Sequence, residues 1–195
     1  MSALIAIDVA ILPPPDVARR AVALSEALRP NESQGLRLGP DYLPHVTLTQ
    51  QFVRVDTLED VLGHVDEVLR GYAPITLRVT GGGKGGSSVW MALDRTPELV
   101  DLHEHLLRAT QPLEEAGGGP AAFFSGDARE RDVRWVREYR RESSFGAFTP
   151  HITLGHAAEP PLVEPMEFIA TTVAACHLGR FCTCRRIIRR WELRA

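Results

Sequence analysis

Apolar positions change period several times along the chain, and each change marks an element. From Ala3 to Leu12 the Ile and Val residues alternate in part and stop at Pro13-Pro14-Pro15, which predicts a strand. Asp16 to Leu28 carries Val17, Ala21, Leu24 and Leu28 on one stripe, the spacing of a helix. After a polar loop, His45 to Val53 reads as a second strand. From Asp56 or Thr57 to Leu69 the period is 3.6, through Leu58, Val61, Leu62, Val65, Val68 and Leu69, with Gly71 beyond the end. Ile75 to Thr80 and Val89 to Leu93 are short strands, and the glycine-rich stretch from Gly81 to Ser88 reads as a flexible hairpin between them. Thr96-Pro97 supplies an N-cap and a first-turn proline for a third helix ending near Gln111. His151 to His156 is another strand, and Phe168 to Leu178 with Phe181 to Leu193 make a closing antiparallel pair turning at Gly179-Arg180. Between the third helix and His151, Pro112 to Phe148 shows a Gly117-to-Pro120 break, a charged run from Arg129 to Glu142 and no clear element.

About seven strands and three helices without strict alternation predict an α+β fold with antiparallel sheets. No shift in composition divides the chain, so residues 1–195 are taken as a single domain. With 195 residues, 44% of them hydrophobic, the chain buries roughly 70% of its unfolded surface and needs neither metal nor disulfide to complete a core. The net charge of −3 excludes a wholesale basic nucleic-acid binder. Three cysteines, all between Cys176 and Cys184, make no disulfide framework and point to a reducing compartment. The apolar start lacks a basic region and is interrupted by Asp8, and nothing approaches the roughly 20 apolar residues of a membrane span, so the expected location is cytoplasmic.

One string occurs twice. Pro44-His45-Val46-Thr47-Leu48 and Pro150-His151-Ile152-Thr153-Leu154 lie 106 residues apart, each opening a predicted strand. A histidine followed in order by an apolar residue, Ser or Thr, and another apolar residue arises by chance at about 1% of histidines. Seven histidines give well under one such match, so a pair is hard to assign to chance. On a strand, His and Thr at i and i+2 share a face about 6–7 Å apart, while Val46, Leu48, Ile152 and Leu154 turn to a core. Two such strands facing one another across a groove offer two imidazoles and two hydroxyls.

That set suits phosphodiester chemistry. A neutral imidazole acts as general base on water or a hydroxyl, and a protonated one donates to the leaving oxygen. Threonine hydroxyls hold the non-bridging phosphate oxygens. The scheme requires no metal and no cofactor.

The pair of His-hydrophobic-Thr-hydrophobic motifs, with the order of elements around it, resembles the two-histidine (2H) phosphoesterase superfamily, which includes the bacterial 2′-5′ RNA ligase-like proteins and cyclic phosphodiesterases. The resemblance implies a bilobal fold, two antiparallel sheets flanking a central cleft with helices outside. It implies that His45 and His151 are the catalytic pair and that Thr47 and Thr153 bind phosphate. The substrates it implies are 2′,3′-cyclic phosphates of nucleotides or RNA ends, 2′-5′ linkages, or the cyclic phosphate of ADP-ribose; the chain itself is expected to be a monomer. Pro112 to Phe148 departs from compact members of the family.

Further residues bear on the substrate. Tyr42, Phe148, Trp135 and Tyr139 are candidate cleft-lining aromatics. Of 22 basic residues only Lys84 is lysine. Six arginines and one acid from Arg180 onward give a local charge of +5 and leave −8 for the rest. Arg134, Arg137, Arg140 and Arg141 interleave with Trp135 and Tyr139, and either arginine segment suits a nucleotide cleft. By alternation His156 falls on the Ile152 and Leu154 face, away from the phosphate. His103-Glu104-His105 has the wrong spacing for a helical metal pair, so these side chains, like His64, read as a solvated helix face. Cys176-His177 with Cys182 and Cys184 reads as buried thiols in preference to a zinc cluster. The glycine loop fails as a Walker motif, because neither Ser nor Thr follows Lys84. A non-catalytic nucleotide-binding or sensing module and a 2′-5′ RNA ligase remain alternatives, as does a metal-dependent hydrolase.

Overall fold

The computed structural model describes residues 3–29 and 34–194. Eight strands form one antiparallel sheet: β1 (Leu4–Leu12), β2 (Val46–Arg54), β3 (Ile75–Gly85), β4 (Ser88–Leu93), β5 (His151–His156), β6 (Met166–Ala170), β7 (Thr172–Gly179) and β8 (Thr183–Glu192). Four helices accompany it: α1 (Pro15–Glu26), α2 (Leu58–Leu69), α3 (Pro97–Thr110) and α4 (Glu130–Glu142). The fold is α+β, as the absence of strict alternation predicted.

The sheet order is β6-β3-β4-β5-β2-β1-β7-β8. Its two halves meet at a single register pair, Val46 with Ile152, so the two expected sheets are one sheet with a narrow waist. Val46 and Ile152 are the second residues of the two repeated tetrapeptides, and the waist therefore sets the motifs side by side. The predicted strand from Phe168 to Leu178 is two strands. β6 pairs with β3 at one edge, whereas β7 pairs with β1 near the other. Only Thr171 separates them. One residue spans at most about 3.6 Å. The sheet must therefore curl until its ends approach one another.

The apolar faces follow the predicted alternation. Val46, Leu48, Ile152 and Leu154 are fully buried in the main core with the inner faces of α1, α2 and α3. Thr96 caps α3 through its side chain, which accepts from the Leu99 amide, with Pro97 in the first turn. A second, smaller core packs Val133 and Val136 of α4 on Phe52, Phe123 and Leu178. Helix α4 lies in the segment whose pattern showed no element. Its apolar positions are few among many charges, so its periodicity is weak, and it starts with a capping interaction between Arg129 and Asp132.

The glycine tract is ordered strand. Gly82 and Gly83 pair with Met91 and Trp90, and a two-residue turn at Gly86-Ser87 closes the hairpin. A Cβ on Gly83 would run into the Trp90 indole, and one on Gly85 would lie 2.9 Å from it. Missing side chains thus form the bed on which Trp90 lies.

Candidate active site

A cleft of about 600 Å³ opens at the waist, and His45, Thr47, His151 and Thr153 all line it. The two motifs are held alike. Nδ1 of His45 donates to the Leu43 carbonyl at 2.7 Å, and Nδ1 of His151 donates to the Thr149 carbonyl at 2.7 Å. A carbonyl only accepts, so each bond fixes the proton on Nδ1 and leaves Nε2 for chemistry. Burial lowers the pKa of both imidazoles, against a raising pull from these carbonyls, and the neighbouring His45 lowers His151 further.

Both strands carry a bulge at the same place. On β2, Thr47 and Thr49 face the consecutive β1 residues Ala10 and Val9, so Leu48 is the extra residue. On β5, Thr153 and Gly155 face the consecutive β4 residues Trp90 and Val89, so Leu154 is extra. A bulge shifts every later side chain to the opposite face. Gln50 and His156, each three residues after its threonine, therefore line the cleft. This corrects the reading that turned His156 away, which assumed unbroken alternation. His156 Nδ1 lies 3.1 Å from Ser87 Oγ, and burial lowers its pKa.

Around these shared positions the halves differ. Across from Gln50 on β1 stands Asp8, and across from Thr47 stands Ala10. The corresponding β4 residues are Ser88, across from His156, and Trp90, across from Thr153. Trp90 covers His151 with ring centroids 4.9 Å apart. Asp8 is fully buried, and its Oδ2 accepts from Thr47 at 2.7 Å and from Gln50 at 2.8 Å. The same Oδ2 lies 3.6 Å from His45 Nε2. Burial pushes this carboxyl up to about 7, against the lowering pull of the Gln50 and Thr47 hydrogen bonds. In the sequence Asp8 stands out only as a break in an apolar segment. A lone charge inside an otherwise apolar strand was the signal for it.

The candidate aromatics divide. Phe148, Trp135 and Tyr139 line the cleft, but Tyr42 does not. Tyr42 sits behind it, edge-on to the lining ring of Phe181 and 4.3 Å beneath the Arg185 guanidinium. The arginines are also corrected. Arg129 and Arg131, at the start of α4, line the cleft, and Arg134, Arg137, Arg140 and Arg141 do not. Arg140 pairs with Glu114 and Arg141 with Glu138. In the C-terminal segment Arg180 pairs with Asp127, Arg185 with Asp41 and Arg189 with Glu59, so part of that charge is taken up by the protein's own acids. Arg129 stacks 4.0 Å over Phe181.

His103 is not solvated. It is fully buried, stacked 3.8 Å from Phe148, donates from Nδ1 to the Leu48 carbonyl and accepts at Nε2 from the Phe145 amide. Burial drives its pKa down to about 4, so it stays neutral and ties α3 to the motif strand. His64 and His105 are bonded to the Ala109 carbonyl and to Tyr72. The three cysteines are free thiols, and His177 bonds the Ala122 carbonyl instead of joining them. Among the described residues, one group brings metal-type donors within 4.8 Å: Asp8, His45 and Cys184. It fits a metal poorly. Asp8 Oδ2 already accepts two hydrogen bonds, and burial pushes the Cys184 thiol well up, which keeps it protonated.

The profile of the 2′-5′ RNA ligase superfamily matches residues 13–175, a span that includes both motifs. The chain belongs to that superfamily. As a superfamily member it has the general phosphoesterase or ligase character of the group. Its fold is similar to that of solved structures along their whole length. TT0787 of Thermus thermophilus shares 19% identity at a TM-score of 0.64, covering 98% of this chain and 99% of that one. LigT of E. coli complexed with phosphate shares 19% identity at a TM-score of 0.58, with both chains fully covered. LigT complexed with 3′-AMP shares 18% at 0.59, covering 97% and 98%. No curated protein sequence gives a significant match. Among the described residues, no helix is long and apolar enough to cross a membrane.

Proposed function

We propose that this superfamily member is a metal-independent phosphodiesterase acting on a 2′,3′-cyclic nucleotide phosphate, an RNA-end cyclic phosphate or a related nucleotide phosphodiester. The observation that carries the reading is the pair of imidazoles in one cleft, each with Nδ1 committed to a carbonyl and Nε2 left for proton transfer. In the reaction, one neutral Nε2 takes a proton from water and the water oxygen attacks phosphorus. The bond from phosphorus to the 2′ or 3′ oxygen breaks, and the other, protonated imidazole gives that oxygen its proton. Thr47 and Thr153 hold the non-bridging oxygens.

The surroundings favour one division of labour. In the free protein the Asp8 carboxylate lies 3.6 Å from His45 Nε2, and in the complex the substrate phosphate brings its own negative charge to that imidazole, both of which favour protonated His45 as the acid. His151 has the Trp90 ring beside it and feels the charge of His45, both of which favour a neutral base. Trp90, Trp135 and Phe181 offer faces for a base, and Arg131 supplies positive charge along the cleft, whereas the Arg129 guanidinium is already paired with Asp132. LigT, solved with 3′-AMP, holds a nucleoside 3′-phosphate of the kind such a reaction releases.

The test is a panel of 2′,3′-cyclic nucleotides, 2′-5′ dinucleotides and ADP-ribose cyclic phosphate incubated with the protein in EDTA. A single 2′- or 3′-phosphate product forming at an undiminished rate is expected. Activity lost in EDTA and restored by zinc or manganese would overturn the metal-free mechanism. Tight nucleotide binding without turnover across the panel would instead identify a binding module.

A further inference from the structure

The hydrogen bond between Thr47 and Asp8 conflicts with the role given to Thr47. A hydroxyl has one hydrogen, and with Asp8 ionised that hydrogen is committed to Oδ2 at 2.7 Å. Thr47 then turns only lone pairs toward the cleft, where an incoming phosphate also brings lone pairs. Gln50 cannot take over the role of donor. Its amide nitrogen is committed to Asp8 Oδ2 and to the Cys182 carbonyl at 3.2 Å. On the carboxyl itself, Oδ1 is buried with no partner, a costly arrangement for a carboxylate.

We propose that the Asp8 carboxyl takes up a proton when an anionic phosphate group enters the cleft, reversing the Asp8–Thr47 hydrogen bond so that Thr47 donates to the phosphate. This rests on the reading of Thr47 as a phosphate-binding residue. The balance is simple. One proton from solvent joins Oδ2, that oxygen donates it to Thr47 Oγ1 while still accepting from Gln50, and the threonine hydrogen turns to a phosphate oxygen. No other bond forms or breaks.

The groups around Asp8 leave it free to respond. His45 and Gln50 face it from β2, Cys176 stands across from it on β7, and Cys184 approaches from β8. Tyr139 of α4 and Cys182 also feel its charge, and burial keeps both protonated. Among the described residues, His45 is the sole basic side chain paired with Asp8; burial lowers its pKa, and it lies beyond hydrogen-bond length at 3.6 Å. A carboxyl poised at about 7 then binds its proton at little cost when a second negative charge arrives. Asp8 is thus a positioning residue acting through Thr47.

Sulfate is the suitable probe, because it mimics phosphate and does not itself titrate near neutral pH. Difference infrared spectra at pH 8 with and without sulfate are expected to show a protonated-carboxyl band in the parent protein and none in Asp8→Asn. The band should also vanish in Thr47→Val, which keeps the carboxyl but breaks the link. By calorimetry, sulfate affinity above pH 7.5 should fall more steeply for the parent than for Asp8→Asn, by about a further tenfold per pH unit. Bound sulfate with no carboxyl band, and parallel pH slopes in parent and variant, would overturn the coupling alone. Failure of sulfate to bind either protein would overturn the phosphate-site reading as well.

Discussion

The two halves of the cleft have the same backbone plan and opposite chemistry. Each has a histidine held by a carbonyl two residues upstream, a threonine two residues on, a bulge, and a polar side chain three residues beyond the threonine. One half then places a buried carboxyl beside its imidazole, and the other places an indole beside its own. On the proposed reading, a symmetric frame supplies two equivalent proton carriers, and their neighbours on β1 and β4 favour one as an acid and the other as a base.

The largest expected effect breaks either carrier. His45→Ala and His151→Ala should each lower turnover by about 10²–10⁴ with little change in melting temperature. The pH profile of kcat/KM for the parent should be bell-shaped, because one imidazole must be neutral and the other protonated. Burial lowers both groups, so its centre should fall on the acidic side of the ordinary histidine value. A simple sigmoid would mean that the halves do not divide the work.

Asp8→Asn sharpens the contrast through stability. An unfolded aspartate ionises near 4, whereas the folded one holds its proton to about 7. Between those values the folded chain retains a proton that the unfolded chain has released, so this residue lowers stability as pH rises from about 4 to 7 and holds it down above. The asparagine variant should therefore unfold at higher urea than the parent at pH 8, by roughly 2–4 kcal/mol, and converge with it at pH 4. Equal curves at both pH values would show that Asp8 is not poised as described.

The smallest effect concerns the second bulge. Gly155 has φ +148°, and a Cβ there would meet Leu28 Cδ1 at 2.9 Å. Gly155→Ala should cost about 1–3 kcal/mol in thermal unfolding and swing His156 out of the cleft. His156→Ala should raise KM more than it lowers kcat. If both leave KM unchanged, His156 lines the cleft without touching substrate.

Much of this was legible in the chain. Three helices and the motif strands have strong periods, α3 has a clear cap at Thr96, and the repeated tetrapeptide named the histidines and threonines that the cleft brings together. Helix α4 was not legible, because its buried stripe is short and its charges dominate the pattern. Nor was the site membership of Gln50 and His156. Alternation places them wrongly unless the bulges are known, and a bulge depends on the partner strand. The arginines misled for a related reason, since acids distant in sequence pair with Arg140, Arg180, Arg185 and Arg189.

The sequence by itself determined the α+β class and the chemical identity of the paired motifs, because both rest on local periodicity and residue type. Only the tertiary structure decided that the motifs meet at a one-pair waist, that bulges add a third side chain to each, and that a buried Asp8 lies against one imidazole and Trp90 against the other. Those facts arise from strand pairing across long separations, which sets the burial and the neighbouring charge of each histidine.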